Sequence, residues 1–430
     1  MTHHISPAVT NLKASIREVL APDEIHSACR RNEYRWRERV LGPAATIWMF
    51  ALQILHGNTA CTHAARLVPG AEISDSGYCQ ARARLPRSVF KTLAQLVTRR
   101  LLRSIDGALE RWHGHRVFLI DGSTCSMSDT PALQQAFGQP HGQKPGCGFP
   151  VAKIVGLFHG PSGLLVDLLV EPLYTHEASI AHRLFTWLRS GDILVGDRAF
   201  ASYVLLAMLQ QRGVHAVMRQ HQRRLIDFRR GRYVGRKDRI ITLAKPVKPP
   251  CWMKREEFDR LRETLTVRQL EYSVVAKGYR SQTVVLVTTL LDGVEYPVAD
   301  LAELYSERWE VETCYRHLKQ TLGMDVLRCQ SEEGIGKELF MYRIVYNVVR
   351  AIMVQSAVER GVPPARLSMI DTLRWLRDGP IDLDRLPPIR VNPHRPGRHQ
   401  PRVVKRRPKQ YPLLTHPREQ MRKAMRGWIL

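Results

Sequence analysis

"HRVFLIDGST", residues 115–124, decides the fold. Four consecutive apolar residues, Val117 to Ile120, leave no polar face. A run this short and this apolar reads as a strand buried on both sides. Asp121-Gly122 then reads as its end, because Asp and Gly are turn residues. Downstream, "VAKIVGLFHGPSGLLVDLLVEPLY" (151–174) is two strands around a Gly-Pro-Ser-Gly turn, a hairpin signal. "EASIAHRLFTWLRSG" predicts a helix closed by Gly191. "DILVGDRAF" (192–200) is a strand that again stops at an acid, Asp197, and "SYVLLAMLQQRG" and "VHAVMRQ" are a helix and a fifth strand. A hairpin followed by strand–helix–strand gives an α/β core, a mixed sheet with helices on its faces.

The rest of the 430-residue chain divides by texture. Residues 1–110 predict a helical, basic N-terminal domain, with helices in "AATIWMFALQILHG" and "RSVFKTLAQLVTRRLLRSI". The core occupies 111–220 and resumes at 299–362. Between these parts, 221–298 reads as a β-rich insertion. It opens on "HQRRLIDFRRGRYVGRKDR", with eight Lys or Arg residues and with Phe228 and Tyr233 among them. Helix returns near Asp300, where Asp300 and Glu303 suit a capping box, and Gly323 ends the run. Residues 363–430 form a basic C-terminal region, which from Arg390 carries twelve Lys or Arg residues and one acid and reads as a flexible arm.

Charge narrows the function. Lys and Arg number 65 against 40 Asp and Glu, a net charge of +25. Such an excess calls for a polyanionic partner, because each cation near a phosphate releases a condensed counterion. Nothing resembles a basic amphipathic membrane anchor, a secretory h-region or a run of about 18 apolar residues, so no membrane is expected. The eight cysteines include no C-x-x-C pair and read as structural thiols in a cytoplasmic protein.

The chemistry is concentrated in "YSERWEVETCYRHLK", residues 305–319. On an unbroken helix, Tyr305, Arg308, Glu312 and Lys319 fall within an arc of about 60°. Leu304, Val311, Tyr315, Leu318 and Leu322 occupy the adjoining arc and face a core. A solvated charge ladder is one reading, and Arg308–Glu312 alone is worth only about 0.3–0.5 kcal/mol as an exposed pair. That reading accounts neither for four turns of stripe headed by a Tyr nor for the acids at two strand ends. Each Asp alone is equally well a turn residue. Taken together, Asp121, Asp197 and Glu312 suggest a converging acidic cluster. Carboxylates that close repel one another and stay ionised only beside cations. Oxygen-only ligands select Mg²⁺ or Mn²⁺. A pair of such ions about 3.5–4 Å apart suits phosphodiester chemistry. Arg308 and Lys319 would then hold phosphates, and Tyr305 would hydrogen-bond or pack on sugar.

These residues resemble the DDE transposases of the bacterial insertion-sequence-four family. The family's Y-(2)-R-(3)-E-(6)-K signature is matched in every spacing by Tyr305, Arg308, Glu312 and Lys319. "IDGST" and "VGDRAF" match its two aspartate motifs at Asp121 and Asp197, and "CQARARL" (79–85) is similar to its N-terminal domain. The resemblance covers roughly residues 40 to 350. It implies a ribonuclease H-like mixed sheet, with the β-rich insertion placed before the catalytic helix. Asp121, Asp197 and Glu312 would be the catalytic, metal-binding triad, holding two Mg²⁺ ions for which Mn²⁺ may substitute. Tyr305, Arg308 and Lys319 would bind DNA. The resemblance further implies a cut-and-paste enzyme. It would cleave double-stranded terminal inverted repeats, pass through hairpin intermediates and transfer 3′-OH ends to target DNA. A homodimer would hold the two ends, in a bacterial cytoplasm at the nucleoid. Hairpin-forming members stack a flipped base on a Trp of the insertion, whereas Trp252 here is flanked by prolines and reads as a packing residue. Two rivals stand beside this reading: a metal-dependent nuclease on the same fold, and a non-catalytic DNA-binding protein derived from a transposase.

Overall fold

Strand β1 (Val117–Met127) is the axis of the sheet. In the computed structural model, which describes residues 20–37, 39–67, 73–221, 224–274, 282–378, 389–393 and 414–426, its neighbours are laid out asymmetrically. On one side β1 pairs antiparallel with β2 (Val151–His159), which pairs antiparallel with β3 (Leu165–Pro172). On the other it pairs parallel with β4 (Ile193–Gly196), and β4 with β5 (His215–Arg219). The order β3-β2-β1-β4-β5 is that of a ribonuclease H-like mixed sheet.

Sheet alternation sends β1 residues into two cores. Val117 and Leu119 join a core with the helix Glu332–Glu359, buried along most of its 28 residues. Arg87–Ile105 from the N-terminal part packs along it, and Thr98 there accepts from the buried Arg343 Nε at 3.1 Å. Phe118 and Ile120 face the opposite core, with the helix Tyr203–Gln211. The segment 177–191 gives only a four-residue helix, Glu177–Ile180, followed by the 3₁₀ stretch Ala181–Trp187. Ala181 and Leu184, eclipsed at i and i+3 in a 3₁₀ turn, are both fully buried there.

Strands β6 (Arg232–Gly235), β7 (Asp238–Ala244), β8 (Thr264–Val274) and β9 (Gln282–Thr288) lie in the region read as an insertion. They continue the same sheet, because β9 pairs antiparallel with β5. Arg268 and Asp238 form a fully buried ion pair, Nη2 to Oδ2 2.6 Å. Arg268 also donates to the carbonyls of Asp292 and Tyr296, tying β8 to the chain that leads into the next helix. Trp252 stacks on His182, ring centroids 4.8 Å apart, and packs on the second core.

Two local expectations differ from the structure. The helix after the insertion begins at Val298, with Pro297 at its N-cap and no side-chain cap. Asp300 pairs with His113 instead, at 2.9 Å. Within the basic C-terminal region, Arg418–Arg426 is helical, anchored by Arg418 on Asp129 at 3.2 Å, while residues 394–413 lie outside the described residues. No helix among the described residues is long and apolar enough to cross a membrane.

Candidate active site

The candidate site opens where β1 and β4 part. Their parallel pairing ends at Ile120 with Gly196, while β1 runs on to Met127, paired to β2. Asp121 is therefore the fifth of eleven strand residues and not a strand end. On the vacated side, no strand among the described residues meets β1 until the short β10 (Val326–Leu327) pairs at Ser126. A cleft at the carboxyl end of a parallel strand is the usual ligand position in an open α/β sheet.

Both aspartates face this cleft. Alternation along β1 and β4 puts Asp121 and Asp197 on the side of Val117, Leu119, Ile193 and Val195. Gly196 allows the close approach, since a Cβ there would lie 2.9 Å from Ile120 Cγ2 and from Met218 Sδ. The backbone carbonyl of Asp121 accepts from Tyr315 Oη at 2.8 Å, and its Oδ1 accepts from the Gly122 N–H at 2.9 Å.

The polar stripe is not carried on one regular helix. Tyr305 belongs to Val298–Ser306 and Glu312 to Trp309–Arg316. Between them the ladder tightens to i→i+3 bonds, Arg308 N to Tyr305 O and Val311 N to Arg308 O. Lys319 lies in a π-helical turn, His317–Thr321, a form often found at functional sites. Periodicity at a fixed 100° per residue could not register either irregularity.

The side chains nevertheless converge. The Arg308 guanidinium lies 3.8 Å from Asp121 Oδ2 and 3.8 Å from Glu312 Oε1, and its Nε has no partner. Lys319 Nζ reaches Ser123 Oγ at 3.5 Å and Asp325 Oδ1 at 3.3 Å. Burial pushes the Asp121 carboxyl up to about 6. The Gly122 N–H and Arg308 pull it down, and Glu177 and Asp197 push it further up. Burial pushes the Tyr305 hydroxyl up to about 12, with Asp197 adding to the rise and Arg308 and Arg219 opposing it. Glu312 is half-exposed, with 52% of its side chain open to solvent.

Sequence reasoning missed three neighbours. Glu177 turns its carboxylate onto Gly122 and pairs with Lys153 at 3.0 Å, while the His176 side chain caps the short helix. Arg219, at the end of β5, comes within electrostatic reach of Tyr305. Trp309 is 59% exposed, with Arg308 over its ring at 4.8 Å. The "THEAS" stretch just past a strand was the one signal that pointed at Glu177.

Among the described residues, no three His, Cys, Asp or Glu side chains are arranged to enclose a metal ion. The cation lying between Asp121 and Glu312 is Arg308 itself. The donor set still fits a hard divalent ion: carboxylate oxygen only, with one acid held toward its neutral form by burial and by other acids.

The chain is similar to known proteins in sequence and in structure. The sequence profile of the family described as "Transposase DDE domain" matches residues 112–348. The transposase InsG for insertion sequence element IS4, from Escherichia coli K12, is 29% identical over 371 residues, 80% of this chain and 80% of its own. The probable transposase for insertion sequence element IS5377, from Geobacillus stearothermophilus, is 21% identical over 394 residues, 87% of this chain and 93% of its own. Among solved structures, a piggyBac transposase synaptic complex with hairpin DNA gives a TM-score of 0.44 at 12% identity, covering 84% of this chain and 78% of that one.

Proposed function

This chain belongs to the Transposase DDE domain family, and on that premise we propose that Asp121, Asp197 and Glu312 are the acids with which it cuts and joins DNA. One observation carries the assignment. Residues from three distant segments, 121, 197 and 305–319, meet in the cleft where β4 leaves β1. The reading is a cut-and-paste reaction on the terminal inverted repeats of an insertion sequence, with transfer of the 3′-OH ends to target DNA. The three acids would hold two Mg²⁺ ions or, in their place, Mn²⁺. When bound, such ions activate water and neutralise charge on the phosphodiester.

The chain's own residues supply the positioning. Arg308 is close to the acids without full hydrogen bonds to them, and its Nε is unpartnered. The two non-bridging oxygens of a phosphodiester offer the bidentate acceptor that this fork lacks. Turning to the phosphate also takes the guanidinium from between Asp121 and Glu312. Lys319, held toward Ser123, would contact the backbone near the cleavage site, and the Tyr305 hydroxyl remains a neutral donor at working pH. Trp309 presents an exposed ring beside Arg308, whereas Trp252 is taken up by His182 and core packing. Trp309 is therefore the better placed of the two to stack on a base during a hairpin step. Two DNA ends held together call for a homodimer.

The test is nicking of a plasmid carrying the gene's flanking repeats. Wild type should nick in Mg²⁺ and stop in EDTA, and Glu312→Gln should not nick in either. Nicking that survives both EDTA and Glu312→Gln would sink the assignment. Cleaved ends that never join to target DNA would favour the nuclease rival.

A further inference from the structure

We propose that Glu177 is a positioning residue of the acidic site, acting on Asp121 through the backbone of Gly122. This rests on the reading of Asp121 as a metal-holding acid. The strand around Asp121 is held from both faces of the sheet. On the Asp121 face, Tyr315 Oη donates to the Asp121 carbonyl at 2.8 Å. On the opposite face, the Glu177 carboxyl lies where a side chain at residue 122 would begin. A Cβ there would be 2.2 Å from Cδ, 2.3 Å from Oε1 and 2.6 Å from Oε2. Only glycine leaves room for a carboxylate in that position.

Glu177 is not there by default. Lys153 Nζ holds Oε1 at 3.0 Å, and both side chains are largely buried, 22% and 23% exposed. Lys153 comes from β2, opposite Thr124, so alternation puts it on the Gly122 face and away from the Asp121 side chain. His176 caps the helix through Nδ1, accepting the Ala178 N–H at 3.2 Å, and its carbonyl accepts from Ser179 Oγ at 2.6 Å. The short helix is thereby fixed with Glu177 as its first residue. The charge of Glu177 also reaches the Asp121 carboxyl. Glu177 thus sets the pitch of the strand that aims Asp121, and it adds negative potential behind a site meant for a cation. The Asp-Gly pair then has a second meaning: the Asp is the ligand, and the Gly is the seat of its support.

The test is a double-mutant cycle in the full-length protein between Gly122→Ala and Glu177→Ala, with Glu177→Gln as a variant that keeps the shape. Mn²⁺ binding is read by electron paramagnetic resonance without DNA, and nicking of the flanking-repeat plasmid is read alongside. Support residues of metal ligands typically cost 10–100-fold in affinity or activity when removed. Each single substitution should therefore raise the half-saturating Mn²⁺ concentration about tenfold and lower kcat for nicking, leaving KM for DNA unchanged. The double variant should be no worse than either single one, because both act through one contact. Half-saturation within about twofold of wild type in both single variants, or effects that multiply in the double, would overturn the inference. A wild type that binds Mn²⁺ but nicks nothing would defeat the functional reading alone, and the Mn²⁺ cycle would still judge Glu177.

Discussion

Asp121→Asn should make the metal-free protein more stable. In the folded chain the Asp121 carboxyl lies at about 6 against an ordinary 3.8, and 21% of the side chain is exposed. A raised acid contributes full stability below its unfolded value and loses it as pH climbs through the folded value. The penalty therefore develops between 3.8 and about 6 and is complete at pH 8. At about 1.36 kcal/mol per tenfold change in acidity, it amounts to about 3 kcal/mol there, and about half of that at pH 5. Asn keeps the Gly122 N–H acceptor at Oδ1 and has no charge to desolvate. With an unfolding entropy near 2.1 cal/mol/K per residue, about 3 kcal/mol is a rise of roughly 3 °C in the melting midpoint of a chain this long. The assay is thermal unfolding followed by circular dichroism in EDTA at pH 8 and pH 5. Asp121→Asn should melt higher at pH 8, with the gap about halved at pH 5. Saturating Mg²⁺ at pH 8 should then raise wild type by a comparable amount and leave the variant unmoved, since binding at 100 times Kd is worth about 2.7 kcal/mol. An Asn variant equal to or below wild type at pH 8, or a gap that ignores pH, would refute the reasoning.

Other expectations follow from the same contacts. Glu312→Gln, at a half-exposed position, should change stability by no more than about 0.5 kcal/mol while abolishing nicking, as melting and a nicking assay will read. Arg308→Gln removes the cation that pulls Asp121 down, so the acid limb of the pH–rate profile for nicking should move to higher pH. Arg268→Met leaves Asp238 buried and unpaired and should cost about 3–5 kcal/mol in denaturant unfolding, while Arg268→Met with Asp238→Leu recovers much of it. Gly196→Ala drives a methyl into Ile120 and Met218 and should cost about 1–3 kcal/mol, read as an earlier melt.

The core was legible because buried parallel strands are written as plain apolar runs. Val117–Ile120 and Ile193–Gly196 are such runs, and the hairpin around Gly160–Gly163 gave away the antiparallel side. Of the candidate site, Tyr305, Arg308, Glu312 and Lys319 were legible because they sit at fixed spacing along one local segment, whereas Asp121 and Asp197 each read equally well as turn residues. What was hidden depends on contacts distant in sequence. The end of β1 was misjudged at Asp-Gly, because the continuation to Met127 is held by pairing with β2, which the local sequence does not encode. The capping box at Asp300 lost to an ion pair with His113, 187 positions away. The break near Arg308 and the π-turn at Lys319 are local irregularities that no fixed period detects. The contacts of Glu177 were hidden for the same reason, since its partners Lys153 and Gly122 arrive from other strands.

The central claim is that Asp121, Asp197 and Glu312 form one catalytic centre in the cleft between β1 and β4. Excision of a marked element bounded by this gene's flanking repeats tests it most directly, with wild type and Glu312→Gln measured side by side. Excision by wild type and none by Glu312→Gln is the predicted result, and equal excision by both would contradict the account.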